Sequence, residues 1–231
     1  MNLSTALVTG ANKGIGWHIA KQLADAGLTV YVGSRDPGRG AEAARRIGAG
    51  ARPLVLDVTD PAGIAAAAAA VPELDVLVNN AGIMPDDAAP PDSSVEAFRA
   101  TYETNVFAVL AVTNAFLPAL RRSAHPRIVN ISSGTASLAQ AAGRPGSGAA
   151  YRSSKAALNA LTVYYAATLA ADGFKVNALA PGLRHTGLHP RAAASDGDPA
   201  EGAAGAVRLA LLGEDGPTGG FHSWDGTPVP W

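Results

Sequence analysis

Two side chains suited to proton transfer lie four residues apart in the second half of the chain, Tyr151 and Lys155. A helix that begins near Ala149 places both on one face, because helical neighbours lie at positions i and i+4. A free phenol has a pKa of about 10 and is a poor acid or base at neutral pH, but a nearby cation favours its phenolate. The spacing therefore predicts that Tyr151 acts as a general acid or base beside Lys155.

Two hydroxyl groups end a predicted buried strand upstream of that helix, on Ser132 and Ser133. A hydroxyl at this place can hydrogen-bond a substrate oxygen, or it can simply satisfy backbone groups. The residues alone leave both interpretations open, and they leave open which serine would face a substrate.

A glycine-rich turn follows the first predicted strand, with Gly10, Gly14 and Gly16 in a GxxxGxG spacing. This spacing differs from the GxGxxG pattern of many dinucleotide sites. Glycines between a strand and a helix still allow a tight turn, bring backbone amides close to a pyrophosphate, and present the helix N-terminus to it. The segment therefore predicts a nucleotide site.

The residue after the second predicted strand is Arg35, where many dinucleotide folds carry an acidic group for the ribose 2′-hydroxyl. An arginine can fork onto a 2′-phosphate, and Lys13 adds a second positive charge. Together they favour NADP(H) over NAD(H). Two alternatives stay open: both cations are ordinary surface charges, or a shift of one residue brings the Asp36 carboxylate to this place.

Two further strand ends carry candidate cofactor contacts. Asp57 ends the third predicted strand and can accept from an adenine amino group while Val58 packs on the ring, although an aspartate that caps a turn or helix is the alternative. After the fourth strand, the side chains of Asn80, Ala81 and Gly82 are small enough for close approach to the cofactor ribose.

Two asparagines are candidates for internal hydrogen bonds, since a buried amide must find hydrogen-bond partners. Asn79 is expected to tie neighbouring strands together. Asn105 lies inside a long helical stretch, where a purely structural, hydrogen-bonded asparagine is the alternative to a functional one.

Short apolar runs alternate with longer helical stretches along the whole chain, which is typical of a parallel sheet covered on both faces. The strands are expected near Thr5 to Thr9, Thr29 to Ser34, Arg52 to Leu56, Val76 to Asn79, Arg127 to Ser132, Lys175 to Ala180 and Gly220 to Trp224. The helices are expected near Gly14 to Ala26, Arg39 to Ile47, Pro61 to Ala70, Val95 to Leu120, Ala149 to Asp172 and Pro199 to Leu211. We predict an α/β fold, a Rossmann-type doubly wound seven-stranded parallel sheet, as one domain over residues 1–231.

Composition argues against several classes of partner. The net charge is -1 with 16% charged residues, so nucleic acid and anionic membranes are not expected partners. The chain has no cysteine, and its five histidines show no ligand spacing, so we expect no metal site. The first residues lead almost at once into a strand, and no apolar run approaches a membrane span, so a cytoplasmic protein is expected.

These motifs together resemble the short-chain dehydrogenase/reductase family, over almost the whole chain. The resemblance rests on TGxxxGIG at residues 9–16, NNAG at 79–82, the helix asparagine, the hydroxyl strand, YxxxK, and Pro181 followed by Gly182. It is greatest to the compact, carbonyl-reductase-like members. It implies an NADP(H)-dependent oxidoreductase that transfers hydride between the nicotinamide and a carbonyl or alcohol substrate.

The family's catalytic tetrad maps onto Asn105, Ser133, Tyr151 and Lys155. The resemblance implies that Tyr151 protonates the carbonyl oxygen while Ser133 hydrogen-bonds the same oxygen. It also implies that Lys155 holds the nicotinamide ribose and lowers the pKa of the tyrosine, and that Asn105 supports a water linking Lys155 to solvent.

The cofactor contacts expected from the motifs and the resemblance lie in five segments. They are Gly10, Asn12, Lys13, Gly14, Ile15 and Gly16; Arg35; Asp57 and Val58; Asn80, Ala81 and Gly82; and Tyr151, Lys155, Pro181, Gly182 and Thr186.

Two segments depart from the family pattern. Arg184 stands where an apolar residue is usual, so its side chain either points outward or turns inward to recognise an acidic substrate. The segment between Ser133 and Tyr151 is a few residues longer than is common, which makes Gly134, Thr135 and Arg144 candidate walls of a substrate pocket. It is far too short for the long insertion of monomeric carbonyl reductases. A homodimer or homotetramer through the helices of Asn105 and Tyr151 is therefore expected.

Two other functions remain as alternatives. A dinucleotide sensor or scaffold can keep such a fold without turnover, since fold alone does not establish function. A sugar-nucleotide epimerase or dehydratase would need a substantial C-terminal substrate domain, whereas only about fifty residues follow Pro181.

Overall fold

The computed structural model describes residues 5–231. Residues 1–4, whose short lead into the first strand supported the expectation of a cytoplasmic protein, lie outside the described part. Seven strands form one sheet in the order β3-β2-β1-β4-β5-β6-β7, and every neighbouring pair is parallel. The strands are β1 (Thr5–Val8), β2 (Thr29–Ser34), β3 (Ala51–Val55), β4 (Val76–Asn79), β5 (Arg127–Ile131), β6 (Lys175–Ala180) and β7 (Phe221–Ser223). The predicted doubly wound parallel sheet is confirmed, with strand ends shifted by one residue at most.

The helices also follow the prediction closely. They are α1 (Gly14–Asp25), α2 (Pro37–Ile47), α3 (Pro61–Ala70), α4 (Val95–Tyr102), α5 (Ala108–Leu120), α6 (Leu138–Ala141), α7 (Ala149–Thr168), α8 (Pro190–Ala193) and α9 (Pro199–Ala210). The short helices α6 and α8 lie in loops where no helix was expected. The predicted helix over 95–120 is interrupted by a π-helical turn, Glu103–Phe107, which joins α4 to α5.

The core lies on both faces of the sheet, because alternate strand residues point to opposite sides. Val8 and Val32 pack on one face with α1, α2 and α9, in a cluster that includes Ile19 and Leu209. Leu7 packs on the other face against α3, α5 and α7. Two covered faces explain why the strands are continuous apolar runs and not alternating ones.

The strand order reverses at β1, which pairs with β2 on one side and β4 on the other. Loops that leave the carboxyl ends of β1 and β4 therefore diverge and open a crevice, the usual ligand position in such sheets. The glycine turn and the 79–82 segment both lie at this crevice.

One expectation about membrane spans was wrong. The helical stretch Val95–Leu120 is long and apolar enough to cross a membrane, with a mean hydropathy of 1.3. Half of that apolar window is nevertheless buried inside the fold, as in the core helix of a globular domain. The length and composition of this stretch are therefore explained by core packing.

Candidate active site

The π-helical turn carries Asn105 into the interior, where its side chain is fully buried. Its Oδ1 accepts from Ile83 N at 2.9 Å. Its Nδ2 donates to Ile83 O at 3.0 Å and to Ser154 Oγ at 3.0 Å. A π turn inserts a residue into a helix and is frequent at functional sites. Here it lets one amide join the segment after β4 to helix α7.

Lys155 lies next to Asn105, and Gly82 shows how close the two are. A Cβ on Gly82 would come within 3.2 Å of Asn105 Oδ1 and 3.4 Å of Lys155 Nζ. The Lys155 ammonium is buried, and it donates to Ile131 O at 2.7 Å. Only glycine at position 82 leaves this much room around the ammonium.

Tyr151 lies one helical turn before Lys155, as the i, i+4 spacing predicted, with Lys155 Nζ 5.8 Å from the centroid of its ring. The Ser133 hydroxyl lies beside its phenol and favours the phenolate, and Ser133 Oγ is hydrogen-bonded to Thr135 Oγ1 at 2.9 Å. Ser132 faces the interior instead, where its Oγ donates to Asn159 Oδ1 at 2.6 Å. The structure thus places Ser133, and not Ser132, beside the tyrosine.

The pKa of Tyr151 differs from what the resemblance implied. Burial raises it to about 12, against a smaller opposing effect of the Ser133 hydroxyl. The ammonium of Lys155 was expected to lower this pKa, but it is turned toward the Ile131 carbonyl. At neutral pH the phenol is therefore protonated and can serve as an acid.

We expect the pH dependence of stability to report on Lys155. Burial lowers its pKa from 10.5 to about 8. The unfolded chain then binds more protons than the folded one above pH 8, so this lysine makes the free energy of unfolding rise with pH. This rise in the free energy of unfolding ends near pH 10. There Tyr151 ionises in the unfolded chain but stays protonated in the folded one, which lowers the free energy of unfolding as the pH rises further.

Urea denaturation from pH 7 to 10 measures this effect against Lys155→Met. The wild-type protein should gain stability relative to the variant between about pH 8 and 10. Parallel stability curves for the two proteins would contradict the prediction.

Sequence reasoning missed Ser154 as part of the site. Its Oγ donates to Tyr151 O at 2.7 Å and accepts from Asn105 Nδ2. It thereby links the asparagine to the tyrosine's own backbone. The available signal was its position, a small hydroxyl residue inside the YxxxK motif.

The predicted nucleotide turn lies at the crevice between β1 and β4. Gly10 has a φ of +63°, and a Cβ there would lie 3.1 Å from Ala81 Cα. Thr9 Oγ1 accepts from the backbone N of both Asn80 and Ala81, at 2.9 and 3.0 Å. Asn80 Nδ2 donates to Thr9 O at 2.8 Å. The Asn80 side chain thus holds the turn itself, while Ala81 and Gly82 keep the small surface expected beside a ribose.

The residues of this turn fit a dinucleotide. Asn12, Lys13 and Ile15 lie at the start of α1, together with Gly14 and Gly16. Lys13 occupies the N-cap position without a side-chain capping bond, and the first turn of α1 has no acidic residue. The Lys13 side chain therefore does not cap the first backbone N–H groups of α1. These N–H groups can donate to an anion such as a pyrophosphate.

The charges after β2 and β3 bear on the choice of cofactor. Arg35 directly follows β2 and is exposed. Asp36 caps α2, because its Oδ1 accepts from Arg39 N at 2.9 Å, so its carboxylate is already bonded within α2.

Asp57, after β3, forms the turn that was the alternative to a contact with adenine. Its Oδ1 accepts from Thr59 N and from Thr59 Oγ1. These bonds lower the pKa of Asp57, with a smaller contribution from the charge of Arg35.

The loop after β6 folds back over the glycine turn. A Cβ on Gly14 would lie 3.5 Å from the Thr186 methyl group, which puts Thr186 at the expected cofactor groove.

The position of the Arg184 side chain matches neither expectation. It neither points outward nor faces a substrate, because it is only 7% exposed and its guanidinium pairs with Glu201.

The remaining predicted residues take the following places. Val58 packs partly buried against the core beside β3, Pro181 and Gly182 follow β6, and Gly134, Thr135 and Arg144 are exposed in the segment between β5 and α7.

Three loops around the N-terminal end of α7 are joined by one polar network. Asp87 pairs with Arg191 of α8, and Asp87 Oδ1 accepts from Ser147 Oγ at 2.9 Å. Arg191 also donates to Ser147 Oγ at 2.7 Å. These contacts hold the loop containing α8 beside the helix of Tyr151.

Asp87→Asn should loosen that loop. Loss of the partly exposed ion pair is expected to raise amide hydrogen exchange in residues 191–193 by about threefold, the scale of a surface pair. Glu42→Gln, which breaks the exposed Glu42–Arg45 pair on α2, is the matched control and should leave these amides unchanged. Equal exchange in Asp87→Asn and the wild type would refute the prediction.

Comparisons with known proteins identify the family of this chain. Residues 4–196 match the family model described as short chain dehydrogenase. Salutaridine reductase of Papaver bracteatum is 33% identical over 293 residues, covering 94% of this chain and 93% of that protein. The 3-oxoacyl-(acyl-carrier-protein) reductase of Escherichia coli is 36% identical over 188 residues, covering 79% and 74%.

A solved structure extends the likeness to three dimensions. The NADPH-bound carbonyl reductase from chicken fatty liver superposes with a TM-score of 0.87 at 31% identity, and the match covers 100% of both chains. The family match covers most of the sequence, and the superposition covers the whole fold that holds Asn105, Ser133, Tyr151 and Lys155 together. This chain is therefore a member of the short-chain dehydrogenase family, an oxidoreductase family whose fold it shares.

Proposed function

We propose that this protein is an NADP(H)-dependent oxidoreductase that reduces a ketone or aldehyde, or oxidises the corresponding alcohol. The observation that carries the proposal is the convergence of Ser133, Tyr151, Lys155 and Asn105 at the carboxyl ends of β4 and β5. Salutaridine reductase and the chicken carbonyl reductase, both named as reductases, support the direction toward carbonyl reduction.

In this proposal Tyr151 and Ser133 both act on the oxygen of the substrate carbonyl. When bound, NADP(H) would supply the hydride for the carbonyl carbon. Tyr151, protonated at neutral pH because burial raises its pKa to about 12, donates its phenolic proton to the carbonyl oxygen. Ser133 lies beside the phenol and donates its single hydroxyl proton in a hydrogen bond to the same substrate oxygen, where negative charge develops.

Lys155 and Asn105 would hold the cofactor and α7 in position and connect the site to protons from solvent. The Lys155 ammonium, buried one helical turn after Tyr151, would hold the nicotinamide ribose. Asn105 fixes α7 through Ser154. It would also support a water that connects Lys155 to solvent.

The preference for NADP(H) rests on Lys13 and Arg35. Both side chains are exposed, and neither forms a salt bridge within residues 5–231. They flank the crevice from the glycine turn and from the end of β2, so a 2′-phosphate between them would receive two charge-assisted contacts. The NADPH bound to the chicken carbonyl reductase supports the same choice.

We also propose that residues 1–231 form one cytoplasmic domain that assembles as a homodimer or homotetramer. All seven strands lie in one sheet, which supports the single domain. Phe107 and Leu110 on one helical stretch, and Val163 and Tyr164 on α7, expose 53%, 40%, 38% and 71% of their surface. Large apolar side chains exposed on these helices are typical of a subunit interface.

Absorbance of NADPH, and separately of NADH, tests the function with a panel of aldehydes, diketones, quinones and ketoesters. Oxidation of NADPH that Tyr151→Phe abolishes would support the reductase. Tight binding of NADPH without turnover of any panel member would favour the alternative of a dinucleotide sensor. Absence of NADPH and NADH binding would refute both.

A further inference from the structure

The Arg184 side chain lies behind the loop that follows β6, on the side away from solvent, and is only 7% exposed. Its Nε donates to Pro181 O at 2.8 Å, and its Nη1 pairs with Glu201 Oε2 at 2.5 Å. The guanidinium carbon lies 4.3 Å from the centroid of the Trp224 ring. A buried charge is costly unless it is paired and hydrogen-bonded, and here one guanidinium has a carboxylate, a carbonyl and an aromatic face.

The backbone around this side chain is packed too tightly for a different placement. A Cβ on Gly202 of α9 would lie 3.2 Å from Arg184 Cγ and 3.0 Å from Pro181 O. A Cβ on Gly182, which has a φ of +75°, would lie 3.2 Å from Trp224 Cδ1 and 3.3 Å from Arg184 Nη2. Arg184 therefore fills the space between the loop, α9 and the segment after β7.

The segment that Arg184 contacts follows the strand paired with β5, which leads to Ser133. Pro181 and Gly182 come directly after β6, and β6 pairs with β5, the strand that leads to Ser133. Leu179 O accepts from Ser132 N at 2.7 Å, so the two strand ends are held side by side. A displacement of the 181–182 backbone would therefore change its position relative to Tyr151 and Ser133.

We infer that Arg184 is a positioning residue for the nicotinamide end of the cofactor. It fixes the Pro181–Gly182 backbone from behind by bonding the Pro181 carbonyl and anchoring it to Glu201 and Trp224. The adenosine end would be held by other residues, those of the glycine turn and Arg35. The inference rests on the proposed function, because it requires that the crevice binds NADP(H).

The test compares two ligands that share the adenosine half, NADPH and 2′-phospho-ADP-ribose, which lacks the nicotinamide. Their dissociation constants are measured by calorimetry for the wild type and for Arg184→Met, which keeps an unbranched apolar stem but loses the donors and the charge. We expect NADPH to bind about tenfold more weakly to Arg184→Met, the scale of one lost charge-assisted hydrogen bond, and 2′-phospho-ADP-ribose to bind unchanged.

Two further variants keep the test decisive if Arg184→Met does not fold. Arg184→Lys keeps the charge but loses the Nε donor and the planar stack, and Glu201→Gln removes only the partner's charge. Both should show the same selective loss to a smaller degree. Arg45→Met, which breaks the exposed Arg45–Glu42 pair on α2, is the matched control and should bind both ligands as the wild type does.

Each remaining outcome counts against a specific statement. Equal weakening of both ligands, or no weakening of either, would overturn the positioning role of Arg184 and leave it a structural residue or a neutral one. A wild-type protein that binds neither ligand would overturn the proposed function itself. The two failures are thereby distinguished by the wild-type measurement alone.

Discussion

Replacing Tyr151 by phenylalanine should lower kcat for carbonyl reduction by about 10²- to 10⁴-fold, the usual contribution of a positioned general acid. The substitution removes only the phenolic oxygen, which lies beside the Ser133 hydroxyl. The aromatic ring of residue 151 is kept. Because the lost group acts in the chemical step, the dissociation constant of NADPH should change little.

Tyr165→Phe provides a closely matched control for this experiment. Tyr165 lies on the same helix, and burial also raises its pKa to about 12. Its hydroxyl donates to Asn114 Oδ1 at 2.7 Å, so removing it costs a hydrogen bond of similar kind. Turnover should survive Tyr165→Phe. If Tyr151→Phe kept most of its turnover, or if both variants lost it equally, Tyr151 would not be the acid.

Replacing Arg35 by alanine should reduce the preference for NADPH over NADH by about 30- to 100-fold. A charge-assisted hydrogen bond to a phosphate contributes roughly 2 to 3 kcal/mol, and each 1.4 kcal/mol is about a factor of ten in affinity. The loss should fall on NADPH, since NADH has no 2′-phosphate. Lys13→Ala should have a smaller effect of the same sign, because a lysine contacts phosphate as a point charge.

The ratio of kcat/KM for the two cofactors measures this preference. Arg39→Ala is the matched control, because Arg39 is an exposed arginine four residues further on that pairs with Asp36. It should leave the ratio unchanged. A wild-type protein that prefers NADH, or an unchanged ratio in Arg35→Ala, would show that Arg35 and Lys13 are ordinary surface charges.

The sequence by itself determined the elements and their order. Strand and helix positions follow from short-range patterns, namely apolar runs of strand length and helical stretches between them, and these patterns do not depend on distant residues. The same holds for Tyr151 and Lys155, since the i, i+4 spacing within one helix places them together before any tertiary contact forms. Asn79 was also predicted correctly, and its Nδ2 donates to Asn130 Oδ1 on the neighbouring strand at 2.9 Å.

Only the tertiary structure decided how the site is tuned. Ser132 and Ser133 are neighbours in sequence, and the pleat of the strand end sends one to Asn159 and the other to Tyr151. The pKa values of Tyr151 and Lys155 depend on burial, which is the sum of contacts from distant segments. Arg184 was ambiguous for the same reason, because its partner Glu201 belongs to another helix and its aromatic partner Trp224 follows β7. Local spacing thus specifies which residues can act, whereas desolvation and long-range pairing set their protonation and direction.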